Sequence, residues 1–585
     1  MDAESSPRHG LTRRRALAGG ALAASGLSSG CVETIERFFG GSSREQVSLE
    51  IVTVPADADA RLTAIARTLV DRLEAVGIAT DFLLTPTDQL RKKVLTNRDF
   101  DVYIGTMAAD RDPDYLRTTF QSSYSNGVGW QNPFGFTDQG SDSLLDAQRY
   151  QSGQQRRETI QDALTDITGE QPIVPLLSDT AIAAVRRNRF EGWDRVRARD
   201  SLWLLALDPA PGRSPEGRLR MTAVEKILTE RLNPLLPTFS EFDALTAYLY
   251  DPLGRYYDGQ IRPWLAQSWS IDESAREIRL ELHPDLTWHD GEALTAADVQ
   301  FTYRFLNDTA MGTGETRHPA PRFRRQSSLA DAVDVLDDQT VRISVDAAPA
   351  VARTVLTAPL LPEHVWESRT DVVDESTGLT QAVTWDNPDP VGAGTLAFES
   401  RTVEESLVLT RNSDHPMNRE GTALFERFGP LAFDSLRFRV VPSDLAGLSL
   451  LTDGDVDATV PKLGNDVISN VRNESAVDLV TSPSRTVYHV GFNARRRPLQ
   501  NPGFRRAIAR LFDKGDIVES TFDGHADPLT TPVTDAEWIP SSLAWNGSDP
   551  EVPFAGSGGE FDVERAKQYF EDAGFQYTND GRLVY

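Results

Sequence analysis

The chain has 585 residues, enough for several domains at roughly 150 residues each, and its 39% hydrophobic content supports sizeable cores. A formal net charge of −27 excludes nucleic-acid binding, because a phosphate backbone needs a basic footprint. Only six of the 60 basic residues are Lys (92, 93, 226, 462, 514 and 567), and such a surface suits very high salt, which screens self-repulsion; an extremely halophilic host of archaeal kind is expected, with a GC-rich genome favouring Arg as the plainer alternative.

Residues 1–31 read as a secretion signal: Arg13-Arg14-Arg15 with a twin-arginine look, a short apolar stretch of small residues, then Cys31. The layout resembles a lipoprotein signal, in which Cys31 carries the lipid, although Ser28 stands where a large aliphatic residue is usual. An incidental Cys is the alternative. A diacylglyceryl group would supply two chains, enough for a firm anchor. Residues 32–46 would then be a polar tether. With a single cysteine no disulfide forms within the chain, and apart from 16–27 no long apolar run predicts a membrane-spanning helix.

Residues 47–190 read as strand, helix, strand, helix, strand. "VSLEIVTV" is a strand; Leu62, Ile65, Leu69, Leu73 and Val76 place one apolar face on a helix that Gly77 stops; "ATDFLLTP" is a second strand, "TDQLRKKVLTNRDF" a helix and "DVYIGTM" a buried third strand. This alternation implies a largely parallel sheet. A helix near 141–168 and the strands "PIVPLLS" and "AIAAVRRN" follow. The Pro/Gly-rich stretch 208–218 is the clearest linker, and 191–218 is expected to be a crossing between lobes. Beyond it the chain turns to many short strands, with a helix after the Thr295 cap, a helical region over 501–522 and another over 561–575 with Gly574 at its end.

One stretch, "GQIRPWLAQSWSIDESAREIRLELHPDLTWHDGEALTAADVQFTYRFL" (259–306), resembles the extracellular solute-binding proteins of ABC importers, family 5, the oligopeptide- and dipeptide-binding type. The segments "LLPEHVWE" (360–367), "DPVGAGTLAF" (389–398), "LSLLTDGDVDATVP" (448–461) and "YHVGFNARRRPLQNPGFRRAIARLFDKGDIV" (488–518) resemble its later motifs in order. The family's closing pieces instead resemble segments near the start: "TLVDRLEAVGIATDF", "RDFDVYIGTMAADRDPDYL", "QPIVPLL" and "RFEGW". The sequence therefore looks circularly permuted, with a fused α/β domain or partial second copy as the alternatives. The resemblance implies an α/β, two-lobed periplasmic-binding-protein-like (type II) fold with an extra α+β subdomain. Its expected parts are 47–190 (lobe two, first part), 219–250, 251–390 (the extra subdomain) and 391–490 (lobe one), and 491–585 (lobe two, second part).

The implied function is an extracytoplasmic receptor, anchored by lipid on the outer face of the cytoplasmic membrane. It captures a peptide or other small polar solute, delivers it to an ABC permease and works as a monomer. The alternatives are a sensor or scaffold that kept the fold, and a binder of a nickel chelate or oligosaccharide. In peptide-binding members an Asp in a Trp-x-x-Asp loop pairs with the ligand ammonium. The matching residues are Met107, in place of Trp, and Asp110, followed by Asp112; Phe492 and Asn493 are further candidates, with a core role equally open.

No constellation for catalysis, metal or cofactor is expected. The eight His are scattered. Asp453, Asp455 and Asp457 lack the later residues of a calcium loop. Trp288-His289-Asp290-Gly291 reads as a turn with a packed indole, and Gly392-x-Gly394 as a tight turn near an interlobe crossing.

Overall fold

A computed structural model describes residues 45–585 apart from 213–216, 237–243, 275, 315, 465–466 and 472–475. The expected signal, Cys31 and nearly all of the tether lie outside the described residues.

β1 (Ser48–Thr53) pairs in parallel with β2 (Ala79–Leu84) and β3 (Val102–Ala108). Between β1 and β2 runs α1 (Ala60–Ala75), whose buried Leu62, Ile65, Leu69 and Leu73 share one face. The Asp59 carboxylate accepts from the first free amides of α1, and Gly77 at φ 79° turns the chain out of it. The helix expected after β2 is a short α-turn, Thr87–Arg91, continued by a π-helix to Asn97. The one expected near 141–168 is two helices, Gln139–Ala147 and α2 (Gly153–Glu170), broken before Gly153, which adopts φ 56°.

Two strands are exceptionally long: β4 (Ile173–Val185) and β10 (Asp478–Phe492). Between them in the chain come β5 (Arg218–Ala223), β6 (Leu396–Thr402), β7 (Ser406–Arg411), β8 (Ser435–Val440) and β9 (Ala458–Thr459). The spatial order is β6–β7–β8–β5–β9–β4–β10–β3–β1–β2, and Ala526–Pro528 adds to β4. A separate antiparallel sheet is built from Ala266–Asp272, Glu277–Leu282, Thr340–Val345 and Ala330–Val335. It packs with α3 (Ala296–Asn307), which opens with a capping box of Thr295 and Asp298, and shares its core with the rest of lobe one.

The buried apolar side chains sort into two main cores. One draws on 47–177 and 487–583, the other on 181–480. These are lobe two and lobe one. Only β4 and β10 pass between the cores, side by side and antiparallel: Leu177 lies in one core and Ala181 in the other, as do Val487 and Val480. The first crossing therefore falls at 178–180 and not at 191–218. Phe190, Trp193, Leu202, Trp203 and Leu207 are all packed inside lobe one, because their bulk finds an apolar core there. The 208–218 stretch is a lobe-one connection in which Asp208–Pro209 pairs with Phe190–Glu191.

At the crossing the ladder slips. Pro483 faces Thr180, yet Val487 faces Ser178, so Ser484, Arg485 and Thr486 together oppose Asp179. Pro483 has no N–H to give to the ladder, and the extra residues bulge out. Elsewhere the two ends of the described chain meet: Val47 N donates to Leu583 O (2.9 Å), Leu583 N donates to Gly77 O (2.9 Å), and Gln46 bridges Val584.

Candidate ligand-binding cleft

A cleft of about 680 Å³ opens between the lobes along these crossing strands. Lobe two supplies the loop Ala108–Asp112 that leaves β3, together with Glu537 and Trp538; lobe one supplies Tyr250, Arg255, Tyr256, Arg322, Arg325 and Arg353 among others. The hinge supplies Pro483, Ser484 and Arg485, with Arg197, Arg199 and Asp200 beside them. A second space of about 590 Å³ shares Arg111, Arg197, Tyr256 and Arg485 with the first.

The loop after β3 carries two of the expected ligand residues, Asp110 and Asp112. Asp110 lines the cleft with its side chain 43% exposed, and its Oδ2 accepts from Arg325 of lobe one at 2.5 Å. Arg325 is itself buried, and burial would lower its pKa, but the carboxylates of Asp110, Asp114 and Asp112 overcome this and raise it. Asp112 also lines the cleft, with both oxygens held by the Arg156 guanidinium at 2.7 and 2.9 Å. Met107 points into the lobe-two core from β3, is 4% exposed and does not line the cleft, so the reading of it as a ligand residue is corrected.

Phe492 and Asn493 do not reach the cleft, and the reading of them as ligand residues is corrected. Phe492 is fully buried in the lobe-two core at the end of β10. Asn493 donates to the carbonyls of Arg98 and Phe100 at 3.0 Å each, tying the strand end to the turn before β3. A buried amide is held where its donors are satisfied.

The residues that sequence reasoning missed are the arginines. Arg199 makes a two-pronged pair with Asp179 (3.0 and 3.1 Å) and also donates to Thr486 Oγ1 and Pro461 O. Ser484 donates to the same Asp179, so the bulge is braced from within. Arg485, in the middle of the bulge, is held differently. Its carbonyl accepts from Ala109 N, but its guanidinium has Asp535 only at 3.7 Å and its Nε has no partner among the described residues. Burial lowers its pKa, and the charges of Arg111 and Arg197 act in the same direction against the opposing carboxylates of Asp535 and Asp110. Arg111 pairs with Asp200 and lies over the Tyr256 ring at 4.2 Å. A bulge opposite Asp179 was the only signal for these roles, and it depends on pairing between segments some 300 residues apart.

The lobes also touch beyond the cleft. Tyr150 OH donates to Asp346 (2.7 Å), Ala348 N donates to Arg149 O (2.8 Å), and Asp88 faces Arg231 at 3.2 Å. Arg149 is in turn fixed by buried Asp114 at 2.9 Å. Burial would raise the Asp114 pKa, but the Arg149 charge and hydrogen bonds outweigh it and hold the carboxyl below its ordinary value.

The remaining motifs are structural. Trp288 is buried and Gly291, at φ 91°, closes the turn by donating to Trp288 O. A Cβ on Gly392 or Gly394 would come within 2.0 Å of the Leu249 or Tyr248 carbonyl; this close approach lies inside lobe one, away from the crossing. Asp457 is buried between Arg189 and Arg220. Among the described residues no group of three or more His, Cys, Asp and Glu could hold a metal, and no helix is long and apolar enough to cross a membrane.

Two α/β lobes joined by a paired strand ribbon, with a polar cleft between them, define a two-lobed solute-binding protein. The model of the bacterial extracellular solute-binding proteins, family 5, matches residues 260–584, and the chain belongs to that family. It is a family of binding proteins, not of enzymes. The chain is 26% identical over 355 residues to a Brucella ovis protein provisionally named an ABC transporter peptide-binding protein, covering 60% of this chain and 59% of that one. It is 23% identical to the oligopeptide-binding protein AppA of Bacillus subtilis, covering 54% and 53%. The solved structure of that AppA with a nonapeptide covers 62% of this chain and 65% of its own, with 18% identity and a TM-score of 0.47. The chain thus spans little more than half the length of the curated relatives it matches.

Proposed function

We propose that this protein is the extracytoplasmic receptor of an ABC importer, capturing a peptide-like or other small polar solute between its lobes and handing it to a membrane permease. The observation that carries this is the cleft of about 680 Å³ between lobes whose described residues are joined along the chain through β4 and β10, within the range of a small-ligand site. Two adjacent strands can flex as one hinge, so ligand contacts from both sides favour the closed state. Asp110, at the cleft wall, is the proposed contact for a cationic group of the ligand. Lipidation at Cys31 would keep the receptor at the membrane. A thermal-shift screen of peptides in molar salt tests the reading: a bound ligand at a hundred times its Kd adds about 2.7 kcal/mol. Stabilisation by at least one peptide is expected, and none by any would sink the peptide reading.

We also propose that the chain is a circular permutant of its family. In support, the family match begins at residue 260, and the described ends pair through Val47, Leu583 and Val584. A chain rejoined from Tyr585 to Gln46 and opened within 208–218 should fold with an unchanged cleft, as read by ligand affinity. Failure to fold in two different opened positions would count against it.

A further inference from the structure

Eight arginines line the cleft against four carboxylates, Asp110, Asp112, Asp200 and Glu537, although the whole chain carries −27. Each of the four acids already faces an arginine. Asp110 is engaged by Arg325, Asp112 by Arg156 and Asp200 by Arg111, while Glu537 lies 3.9 Å from Arg157. Of the arginines, Arg199 and Arg255 are matched by buried carboxylates behind the wall, Asp179 and Asp251. Arg197 and Arg353 have no carboxylate within ion-pair distance among the described residues. Arg485 has its nearest carboxylate at 3.7 Å and an idle Nε. The bulge aims Arg485 toward Arg111 and Arg197, a like-charge group on the wall where the lobes meet.

We infer that the cleft selects a solute of net negative charge, whose acidic group, carboxylate or phosphate, docks against Arg485, Arg197 and Arg111 at the hinge. This rests on the receptor reading above and narrows its substrate class. An anion there supplies the acceptors that the protein withholds from Arg485 and Arg197, and it offsets the repulsion among the three guanidiniums. Because both lobes and the hinge border the site, the same contact draws Arg111 of lobe two toward the hinge bulge and favours closure.

The test titrates the full chain with tripeptides of Glu, Ala and Lys, and with glucose 6-phosphate beside glucose. Calorimetry and unfolding temperature are the readouts. The expected result is binding of triglutamate, of glucose 6-phosphate, or of both, with neutral and basic counterparts at least tenfold weaker; which of the two binds separates carboxylate from phosphate. Arg485→Gln and Arg197→Gln each weaken that anion about tenfold or more, and Arg485→Lys restores part of the loss. Arg197 is exposed, so Arg197→Gln remains informative if Arg485→Gln does not fold. Trialanine or trilysine binding as tightly as triglutamate overturns the inference and leaves the receptor reading standing. Binding of glucose 6-phosphate with no peptide bound keeps the inference and removes the peptide reading. Anion affinity unchanged in both Gln variants overturns the proposed docking site, and no binding of triglutamate or glucose 6-phosphate overturns the inference.

Discussion

Arg199 and Arg485 stand at the same hinge and are treated in opposite ways. Arg199 is closed off by the protein: Asp179, Thr486 and a carbonyl meet its donors. Arg485, beside Thr486 in the chain, has Asp535 only at 3.7 Å and Asp110 beyond ion-pair distance, set against two like-charged neighbours. A charge satisfied internally holds a shape, whereas one left short of partners has interaction energy available for something that arrives. The Asp114–Arg149 pair belongs with the first kind, and Asp110–Arg325, reaching from lobe to lobe at the cleft edge, stands between the two.

The sharpest way to break this comparison is to remove the anchor from the closed-off arginine. Asp179→Ala strands Arg199 in a mostly buried position, and a loss of about 3–5 kcal/mol is expected in denaturant unfolding. A loss under about 1 kcal/mol would mean that the hinge pair is ornamental. Next comes Asp114→Asn, with an expected loss of about 2 kcal/mol at pH 7. Because the folded Asp114 pKa is depressed, its contribution is complete above the unfolded value of about 3.9 and disappears as pH falls through the lower folded value. Stability measured from pH 6 to pH 2 should therefore show a shallower acid limb in Asp114→Asn than in the parent. Asp110→Ala is expected to cost about 1 kcal/mol in chemical unfolding, since Arg325 keeps Asp114 nearby and the Asp112 carbonyl at 3.3 Å. It should also weaken any ligand carrying an ammonium. The smallest effect is expected for Arg485→Gln without ligand: a change in stability within about 0.5 kcal/mol. A loss above about 2 kcal/mol there would place Arg485 among the structural arginines.

Local chemistry made much of the fold readable. The α1 stripe, the Gly77 stop, the Thr295–Asp298 cap and the Trp288 turn each depend on residues a few positions apart, and each lies where its pattern puts it. The family motifs over 259–306 reach further, because they report packing shared with other chains. Two kinds of feature were not legible. The sequence reading places the lobe crossing 13 residues late, since the apolar run 181–185 suits either core and the polar stretch 186–189 after it reads as the natural break. The arginines of the cleft were invisible because their roles come from the slipped register between β4 and β10, a relation that exists only once distant segments pair. Phe492 and Asn493 look like site residues because their motif borders the cleft strand, but that end of β10 is buried on both faces: Phe492 packs in the lobe-two core and Asn493 is held by the Arg98 and Phe100 carbonyls.

The split of lobe two has a consequence for how the chain reaches its folded state. Lobe one is a single run of sequence, whereas β3 of lobe two finds its outer neighbour only in β10: Val102 lies opposite Phe492, 390 residues further on. During synthesis β1, β2 and β3 emerge early and present an apolar, unpaired edge until almost the whole polypeptide has been made. Pairing so remote in sequence carries a large loop-closure entropy and is slow. Lobe one should therefore gain its structure first and lobe two last, so that the cleft is the final part of the molecule to exist.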